Sequence, residues 1–431
     1  MIKPQIPSGF WELSLEKQNV FKNMLSTIEK VYERNCFMQM DTPVMEYKEV
    51  LLAKSQGETS KQIFEIAKGD KAYVMRYDLT VPLARFVAEH YNEIKFPFKR
   101  YQIGKVYRGE RPQKGRYREF YQADIDVIGN GKLSISYDAY VIATISEALS
   151  SLGLNKYVIA LNNRKVIQGL VAYLGIDNPE ALFILIDKYD KLTRKQFEEE
   201  LIGLVSKSQA QELIKVLDME GNIISQLKAL RIENPLFQEG LCELEEVIGL
   251  LETLGVSKDN YTINLKIIRG LDYYTGTIFE TFLVGNERYG SIASGGRYAN
   301  LASAYINRNL PGVGGSIGVS RLFSILDEIG FFEEQGTLRG AEADYLIVPV
   351  GNTLKYAIKV QQLLKKKASK VDIYLEKIKP DKAIRYCMAR EIPNIVFIGD
   401  EEVRSKVFKV KNLESRQEYI ISMTEGIRSI E

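Results

Sequence analysis

Histidine and cysteine are scarce in this sequence, whose 431 residues contain a single histidine, His90, and three cysteines, Cys36, Cys242 and Cys387. The cysteines lie far apart, without CxxC or metal-ligand spacing, so we expect no disulfide framework and a reducing compartment. One histidine argues against a Ser–His–Asp triad or a multi-histidine metal centre, and no metal ligands can be assigned. We interpret His90, near a predicted helix end, as a structural or surface residue. Chemistry must then depend on Arg, Asp, Glu, Gln, Tyr and backbone groups.

Net charge and long apolar runs are also nearly absent. The 58 Lys and Arg residues offset 56 Asp and Glu to leave +2, so no global positive field indicates a nucleic-acid partner. The largest local excess of Lys and Arg lies near residues 95–118. No apolar run approaches the roughly 18–20 residues of a membrane span, and the N-terminus has no apolar signal core. We therefore expect a soluble cytoplasmic protein without a membrane attachment.

The order of predicted elements is strands, helices, strands, followed by a different pattern. Two strand-rich regions flank a helix-patterned segment at about 164–258, which predicts an α+β domain over residues 1–332 with a helical insertion. The periodicity lapses at 333–343, which we interpret as a linker. Residues 344–431 alternate β-α-β-α-β and predict a compact α/β domain with parallel strands.

The densest charge lies in YRGERPQKGRYREFYQADIDVIG, residues 107–129, which is predicted to form two strands around a basic loop. A hairpin would bring together Arg108, Glu110, Arg116 and Phe120. Arginine can hold an oxyanion, glutamate can accept from an exocyclic amine, and an aromatic ring offers a stacking plane. This combination fits a nucleoside triphosphate, although a salt-bridged hairpin is an equal interpretation from the residues alone.

The end of the same stretch, QADIDVIG, alternates so that Gln122, Asp124 and Asp126 share one strand face. Acidic residues in an otherwise apolar strand need partners. Asp126 could therefore bind an ammonium or an imidazole, or satisfy a backbone turn.

A second dense segment is IIRGLDYYTGTIFE, residues 267–280, where Arg269 follows an apolar strand and Tyr273 and Tyr274 are adjacent polar aromatics. An arginine at a strand end can neutralise a developing phosphate charge, or can form a structural ion pair. The stretches SIASGGRYANL and PGVGGSIGVSRLFSIL are glycine-rich, which marks tight turns or close packing. Neither fits a dinucleotide-binding fingerprint, and no P-loop motif is present.

Together these stretches resemble the class II aminoacyl-tRNA synthetases, and among them the histidyl-tRNA synthetases. The resemblance covers nearly the whole chain and depends on five segments: YRGERPQKGRYREFYQ (motif 2), IIRGLDYYTGTIFE and ASGGRYANL (the two histidine motifs), GGSIGVSRL (motif 3) and RYDLTVPLARF (the loop over the substrate ammonium). Motif 1 would end near Pro43, and residues 344–431 resemble the anticodon-binding domain. The resemblance implies a class II antiparallel-sheet catalytic domain and a homodimer.

The resemblance further implies that ATP activates histidine to histidyl-adenylate with Mg²⁺ present, and that the histidyl group passes to the 3'-end of tRNA(His). This chemistry depends on positioning and charge stabilisation rather than on a protein nucleophile. The implied catalytic residues are Arg108, Arg269 and Gln122. The implied histidine-binding residues are Asp78, Thr80, Gln122, Asp126, Arg269, Tyr273 and Tyr274, and the ATP-binding residues are Arg108, Glu110, Arg116, Phe120 and Arg321.

Two positions depart from the family pattern, since Ser320 replaces the usual glutamate of motif 3 and Ala299 replaces an aspartate. A synthetase-like regulatory subunit of ATP phosphoribosyltransferase is the main alternative, but it lacks the C-terminal domain and tends to lose the arginine equivalent to Arg269. An inactive tRNA-binding sensor module is a third. By the same resemblance, residues 113–118 would face the tRNA acceptor end, and Lys377–Lys382 the anticodon stem.

Overall fold

The computed structural model describes residues 2–53, 62–113, 115–268, 274–335, 343–366 and 370–423. The chain divides into two compact units, the first comprising residues 1–13 and 21–331 and the second residues 14–20 and 332–431. None of the helices in the described ranges is long and apolar enough to span a membrane. The predicted boundaries at 332 and 344, and the extent of the insertion, stay predictions.

The helices are α1 (Leu15–Arg34), α2 (Lys48–Leu51), α3 (Thr80–Glu89), α4 (Ser136–Ser151), α5 (Arg164–Tyr173), α6 (Pro179–Ile186), α7 (Arg194–Leu204), α8 (Lys207–Leu217), α9 (Ile223–Ala229), α10 (Pro235–Thr253), α11 (Val319–Glu328), α12 (Phe331–Glu334), α13 (Leu354–Lys365), α14 (Pro380–Ala389) and α15 (Asp400–Ser405). The strands are β1 (Met38–Gln39), β2 (Met45–Tyr47), β3 (Glu65–Lys68), β4 (Lys71–Met75), β5 (Phe98–Tyr107), β6 (Glu119–Ile128), β7 (Tyr157–Asn163), β8 (Tyr261–Ile263), β9 (Tyr274–Leu283), β10 (Ala293–Tyr298), β11 (Gly312–Ile317), β12 (Tyr345–Pro349), β13 (Val371–Ile373), β14 (Asn394–Ile398), β15 (Val407–Asn412) and β16 (Glu418–Ser422).

The first unit is built on an eight-stranded sheet in the order β1-β5-β6-β11-β10-β9-β7-β8. All neighbouring pairs are antiparallel except β1 with β5 and β7 with β8. The predicted hairpin exists, since β5 and β6 pair over ten residues each and Arg100 lies opposite Asp126. The α+β class and the antiparallel catalytic sheet predicted from the sequence are thereby confirmed.

Helices α5 to α10 follow β7, and they share a buried apolar core of their own. Side-chain caps fix where several of these helices begin. Thr193 and Ser206 each form a capping box with a glutamine three residues later, at the starts of α7 and α8. Leu265 and Ile268, which lie between β8 and β9, join this core. The helical segment is therefore packed against the chain that returns to the eight-stranded sheet.

The second unit contains a five-stranded sheet in the order β13-β12-β14-β15-β16. The strands β13, β12 and β14 are parallel, as the alternating pattern predicts. The last two strands, β15 and β16, are antiparallel, and the sequence pattern did not indicate this. A short connection explains their direction, because only five residues, 413–417, separate β15 from β16 and a parallel crossover needs a dozen or more.

Candidate functional site

The centre of the site is strand β6, where two acidic side chains are buried in the middle of the eight-stranded sheet. Asp124 and Asp126 are 3% and 2% exposed. Asp126 lies between Arg100 of β5 and Gly314 of β11 in the strand register. Arg100, which is fully buried, forms a 2.6 Å ion pair from Nη2 to Asp126 Oδ2. The partner that a buried carboxylate requires is thus another strand residue, and not a backbone turn.

Asp126 has a second partner in Tyr298, whose hydroxyl donates to Asp126 Oδ1 at 3.0 Å. Tyr298 ends β10, and it faces Tyr274, the first residue of β9, in the strand register. A Cβ atom on Gly312 would overlap the Tyr298 ring, and one on Gly314 would overlap Asp126 Oδ1. The glycines of β11 therefore leave the space in which this tyrosine reaches the carboxylate.

Asp78 and Gln122 form the acidic end of the site with Asp126. Asp78 is 2% exposed, and its Oδ1 accepts a 3.1 Å hydrogen bond from the backbone N–H of Val81 at the start of α3. Gln122 Nε2 donates to Ser316 Oγ at 2.9 Å. Within the described ranges, Asp78 Oδ2 and Gln122 Oε1 are buried and have no hydrogen-bond partner. A buried ammonium group could donate hydrogen bonds to both of these acceptors.

The electrostatics of this end favour a cationic occupant. Burial raises the pKa of Asp78 to about 7, while its Val81 hydrogen bond and Arg108 oppose the shift. Burial likewise raises the pKa of Asp126 to about 7, against the attraction of Arg100. Burial also raises the pKa of Asp124. Three desolvated carboxyl groups share one buried arginine, and a positive ligand would stabilise their ionised forms.

The opposite end of the site is lined by arginines. Arg108 donates from Nε to the Tyr77 carbonyl at 3.0 Å, and its guanidinium lies 5.2 Å from the Phe120 ring centroid. Arg116, which is largely exposed, lies 3.8 Å from Glu110. Strand β5 ends at Tyr107 and β6 begins at Glu119, so Arg108, Glu110 and Arg116 belong to the loop between the two strands.

Arg321, at the start of α11, is held against this loop by a 3.0 Å hydrogen bond to the Gly115 carbonyl, and it also donates to the Ser291 carbonyl, before β10, at 2.8 Å. Burial lowers the pKa of Arg321, and the positive charges of Arg116 and Arg108 lower it further. The three arginines therefore lie close enough to repel one another. A polyanion bound between them would relieve that repulsion.

Most of the predicted site residues lie in this one region. The structure brings together Asp78, Gln122, Asp126 and Tyr274 at the acidic end, and Arg108, Glu110, Arg116, Phe120 and Arg321 at the arginine end. Thr80, two residues after Asp78, is 9% exposed at the first position of α3. Arg269 and Tyr273 lie outside the described residues. The roles assigned to all of these residues stay predictions.

Sequence reasoning missed Arg100 and Tyr298 as parts of the site. A signal for Arg100 existed, because an arginine in an apolar strand whose hairpin partner contains Asp126 predicts a buried ion pair. The Ser320 departure also has a structural account, since its buried hydroxyl accepts from the backbone N–H of Tyr121 at 2.9 Å. Nothing in the structure explains the Ala299 departure.

Among the described residues, no group of three or more His, Cys, Asp or Glu side chains is arranged to hold a metal ion. The site thus combines a mainly antiparallel sheet, a buried acidic end and an arginine end without a P-loop. With a C-terminal α/β unit, this is the architecture of the class II aminoacyl-tRNA synthetases.

Comparison with known proteins defines the family. The family model for histidyl-tRNA synthetase matches residues 9–322, and that for an anticodon binding domain matches residues 344–431. The chain is 49% identical over 415 residues to a histidine–tRNA ligase of Clostridium acetobutylicum, with 96% of each chain covered. It is 43% identical over 437 residues to that of Clostridium tetani, with 100% of this chain and 98% of the relative covered. The chain belongs to the histidyl-tRNA synthetase family.

Solved structures agree with this assignment. A crystal structure of histidyl-tRNA synthetase from a Nostoc species superposes with a TM-score of 0.88 at 34% identity, covering 98% of this chain and 97% of that one. A structure described as an ATP phosphoribosyltransferase regulatory subunit/histidyl-tRNA synthetase from Bacillus halodurans has a TM-score of 0.75 at 23% identity, covering 92% and 99%. The second likeness is one of fold alone.

Proposed function

We propose that this protein is a histidine–tRNA ligase, which activates histidine with ATP and transfers the histidyl group to tRNA(His). One observation carries the proposal: the two ends of a single site have opposite electrostatic character. Arg108 joins them, because its charge acts on Asp78 at one end and on Arg321 at the other. An amino acid and a triphosphate bound at these ends would meet at Arg108.

At the acidic end, Asp78 Oδ2 and Gln122 Oε1 accept from the α-ammonium of histidine, with Thr80 beside them. Asp126 and Tyr274 hydrogen-bond the two imidazole nitrogens, and Tyr273 and Arg269 complete this end. A pocket whose polar groups pair both ring nitrogens penalises amino acids that lack them, because those groups would be left buried and unpaired.

At the arginine end, Glu110 reads the adenine amine and Phe120 stacks on the base. Arg116 and Arg321 hold the γ-phosphate end, and Arg108 holds the α-phosphate together with the histidine carboxylate. ATP enters as its magnesium complex, in which Mg²⁺ neutralises charge on the β- and γ-phosphates.

The reaction then needs positioning more than acid–base catalysis. The histidine carboxylate attacks the α-phosphorus, the bond to the β-phosphate oxygen breaks, and pyrophosphate leaves. Arg108 and Arg269 stabilise the charge that develops on the α-phosphate oxygens. Gln122 holds the amino group so that the carboxylate points at phosphorus. In the second step a terminal ribose hydroxyl of tRNA attacks the carbonyl of the adenylate and releases AMP.

The anticodon binding domain supplies the tRNA contact at residues 344–431. We assign the loop at 113–118 to the acceptor end and Lys377, Lys379 and Lys382 to the anticodon stem. These three lysines are exposed, as phosphate contacts require.

The protein also works as a homodimer in this proposal. The edge strand β1 and the segment after it expose four large apolar side chains within ten residues, which is unusual for a surface and typical of an interface. They are Met38, Val44, Met45 and Tyr47, between 39% and 59% exposed. Sedimentation velocity should give twice the chain mass of 49.1 kDa, and a monomer at micromolar concentration would contradict the dimer.

The test of the activity is ATP–pyrophosphate exchange with purified protein. Exchange should require histidine and Mg–ATP, and glutamine should not replace histidine. Histidinol, which has the imidazole and amine but no carboxylate, should inhibit without supporting exchange. Absence of histidine-dependent exchange would exclude the ligase, and stimulation of an ATP phosphoribosyltransferase by the same preparation would then favour the regulatory-subunit alternative.

A further inference from the structure

Arg100 is a buried cation that the proposed reaction does not use. Its side chain is fully buried on β5, and Nη2 contacts both Asp126 Oδ2, at 2.6 Å, and the Leu79 carbonyl, at 3.2 Å. Within the described ranges, its Nε and Nη1 atoms have no hydrogen-bond partner. Burying a guanidinium with only part of its donors satisfied costs folding stability. This cost suggests that Arg100 has a role beyond packing.

The geometry points to Arg100 as a positioning residue that keeps Asp126 ionised and oriented, so that this carboxylate accepts an N–H from the imidazole of histidine. The inference deepens the proposed function and rests on it. Arg100 does not contact substrate in this arrangement. It acts through Asp126, whose two oxygens are held from opposite sides by Arg100 and by the Tyr298 hydroxyl. Each oxygen retains a lone pair for the ligand.

The surroundings of Asp126 show why such a residue is needed. Asp124 on the same strand and Asp78 in the turn before α3 both act to keep Asp126 protonated, and burial acts in the same direction. The Tyr298 hydroxyl from β10 is a neutral donor, and β11 presents only Gly314. Among the residues that the structure describes, Arg100 is thus the cation that favours the charged form. Without Arg100, Asp126 would bind a proton. Its O–H would then point at the imidazole N–H from which Asp126 must accept a hydrogen bond.

The expected consequence is a shift in the pH dependence of histidine use. The kcat/KM for histidine should rise with pH as Asp126 of the free enzyme loses its proton, because only the carboxylate accepts. Removing Arg100 raises the pKa of Asp126 and, less strongly, that of Asp78, so the midpoint of that rise should move to higher pH. The imidazole of the substrate titrates in the same range, but identically for every variant. A difference between variants therefore reports the enzyme.

Pyrophosphate exchange between pH 5.5 and 9 would test the inference with Arg100→Met, Arg100→Lys and the wild type. At neutral pH, Arg100→Met should lose about 10- to 100-fold in kcat/KM for histidine, the usual effect of one charge-assisted hydrogen bond, while KM for ATP changes little. Its midpoint should lie at higher pH than that of the wild type. Arg100→Lys keeps the charge and should restore the midpoint.

The matched control is Arg85→Met, which removes another arginine paired with a buried carboxylate, Glu46, in the same unit. It should lower the thermal midpoint without moving the pH profile. If Arg100→Met does not fold, Arg100→Gln gives the same comparison, because it keeps a donor for the Leu79 carbonyl without the charge. In an Asp126→Asn background, loss of Arg100 should cost no further kcat/KM, because no carboxylate remains to be kept ionised.

An unchanged pH profile in the neutral variants, or an equal rise in KM for ATP and histidine, would overturn the inference. Activity of the wild type separates this failure from failure of the proposed function. If the wild type exchanges with histidine and the Arg100 variants behave like Arg85→Met, only the positioning role is lost. If the wild type does not exchange, the function itself fails.

Discussion

At the scale of single residues, the site is defined by carboxylates that the fold buries at a cost. Asp78 is an example, since its pKa rises to about 7 from an ordinary value of 3.8. A carboxyl group with a raised pKa favours the folded state below its unfolded pKa, and that contribution is lost as the pH rises through 7. Above pH 7 the empty enzyme therefore carries a buried charge that the substrate ammonium would compensate.

Asp78→Asn should consequently separate stability from function. The amide resembles the protonated acid and still accepts from the Val81 N–H, so at pH 8 the variant should be more stable than the wild type by about 1–3 kcal/mol. At pH 4 the difference should nearly vanish. Histidine-dependent exchange should fall at least about 100-fold, because the ammonium loses its counter-charge. Thermal unfolding at the two pH values measures the change in stability, and KM for histidine measures the change in binding. If Asp78→Asn is less stable than the wild type at pH 8, the raised pKa of Asp78 is contradicted.

Only some of the residues of the site could be predicted from the sequence. Gln122 and Asp126 could be found because the alternation of β6 puts them on one face, and the structure has Gln122 bonded to Ser316 of β11 and Asp126 bonded to Tyr298 of β10. Arg100 and Tyr298 could not be assigned with the same ease, because their contact with Asp126 depends on the register of β5 and on a ring that crosses β11. Registers are set by turns and by packing of the whole sheet, which local patterns do not contain.

At the scale of elements, strand β11 shows how glycine builds the site. The sequence PGVGGSIG indicates only tight turns or close packing, and the structure has Gly312, Gly314 and Gly315 inside strand β11. Gly312 and Gly314 face Tyr298 and Asp126, while Gly315 faces Ile145 and Phe279 on the other side. Glycine normally weakens a strand, so its presence here marks a close approach of neighbouring groups.

Gly314→Ala should therefore displace Asp126 and disable histidine binding. The added methyl group would occupy the position of Asp126 Oδ1, so KM for histidine should rise about tenfold or more, while the affinity for ATP should change less. Gly249→Ala in α10 is the matched control, because nothing lies within 4 Å of its Cβ position. That variant should gain up to about 1 kcal/mol of stability and keep wild-type kinetics. Equal kinetics for the two variants would refute the crowding argument.

The segment before α1 supports the arginine end of the site. Trp11 stacks on Tyr117 with ring centroids 4.9 Å apart, and Phe21 and Phe323 pack on it from the other sides. Arg118, next to Tyr117, donates its backbone N–H to the Gly9 carbonyl at 2.7 Å. These contacts fix the loop that carries Arg116, although the sequence gives no hint that residues 9 and 118 meet.

Trp11→Ala should loosen this loop and weaken ATP binding. We expect KM for ATP to rise about three- to tenfold, with stability lower by about 1–3 kcal/mol, because Trp11 is only partly buried. KM for histidine should change little, and Trp11→Phe should restore most of the loss. Since Trp11 is the only tryptophan, its fluorescence in the wild type should also respond to ATP. Unchanged kinetics in Trp11→Ala would show that the loop does not need this support.

Prediction at the element scale succeeds where contacts are local. The β5–β6 hairpin and the β3–β4 hairpin around Gly69-Asp70 agree with the turn and alternation signals. The chain between β9 and β10 is not extended throughout, since Glu287–Tyr289 form a short 3-10 turn and β10 begins at Ala293. Gly290, with a φ of 79°, adopts the left-handed conformation that interrupts the extended chain there.

At the scale of the whole molecule, charge is divided unevenly along the chain. Residues 344–431 contain 17 Lys and Arg against 12 Asp and Glu, a net of +5, so the other residues carry −3 within the total of +2. The near-neutral total that excludes a global field thus conceals a positive C-terminal region. The charge of the C-terminal region can be counted from the sequence once the change in periodicity has given the domain boundary.

This division predicts that the two half-reactions respond differently to salt. Phosphate contacts release counterions, so aminoacylation under limiting tRNA should fall steeply between 50 and 300 mM KCl, whereas pyrophosphate exchange, which needs no tRNA, should change much less.

Replacing Lys377, Lys379 and Lys382 together by Glu should weaken tRNA binding about tenfold or more. The dependence of log K on log salt concentration should become less steep by roughly 2–3. The matched control exchanges Lys17, Lys22 and Lys30 of α1 for Glu in the same way. If exchange falls as far as aminoacylation in the C-terminal variant, the lysines support the fold and not the tRNA. Equal tRNA affinity in both variants would place the tRNA contact elsewhere on the chain.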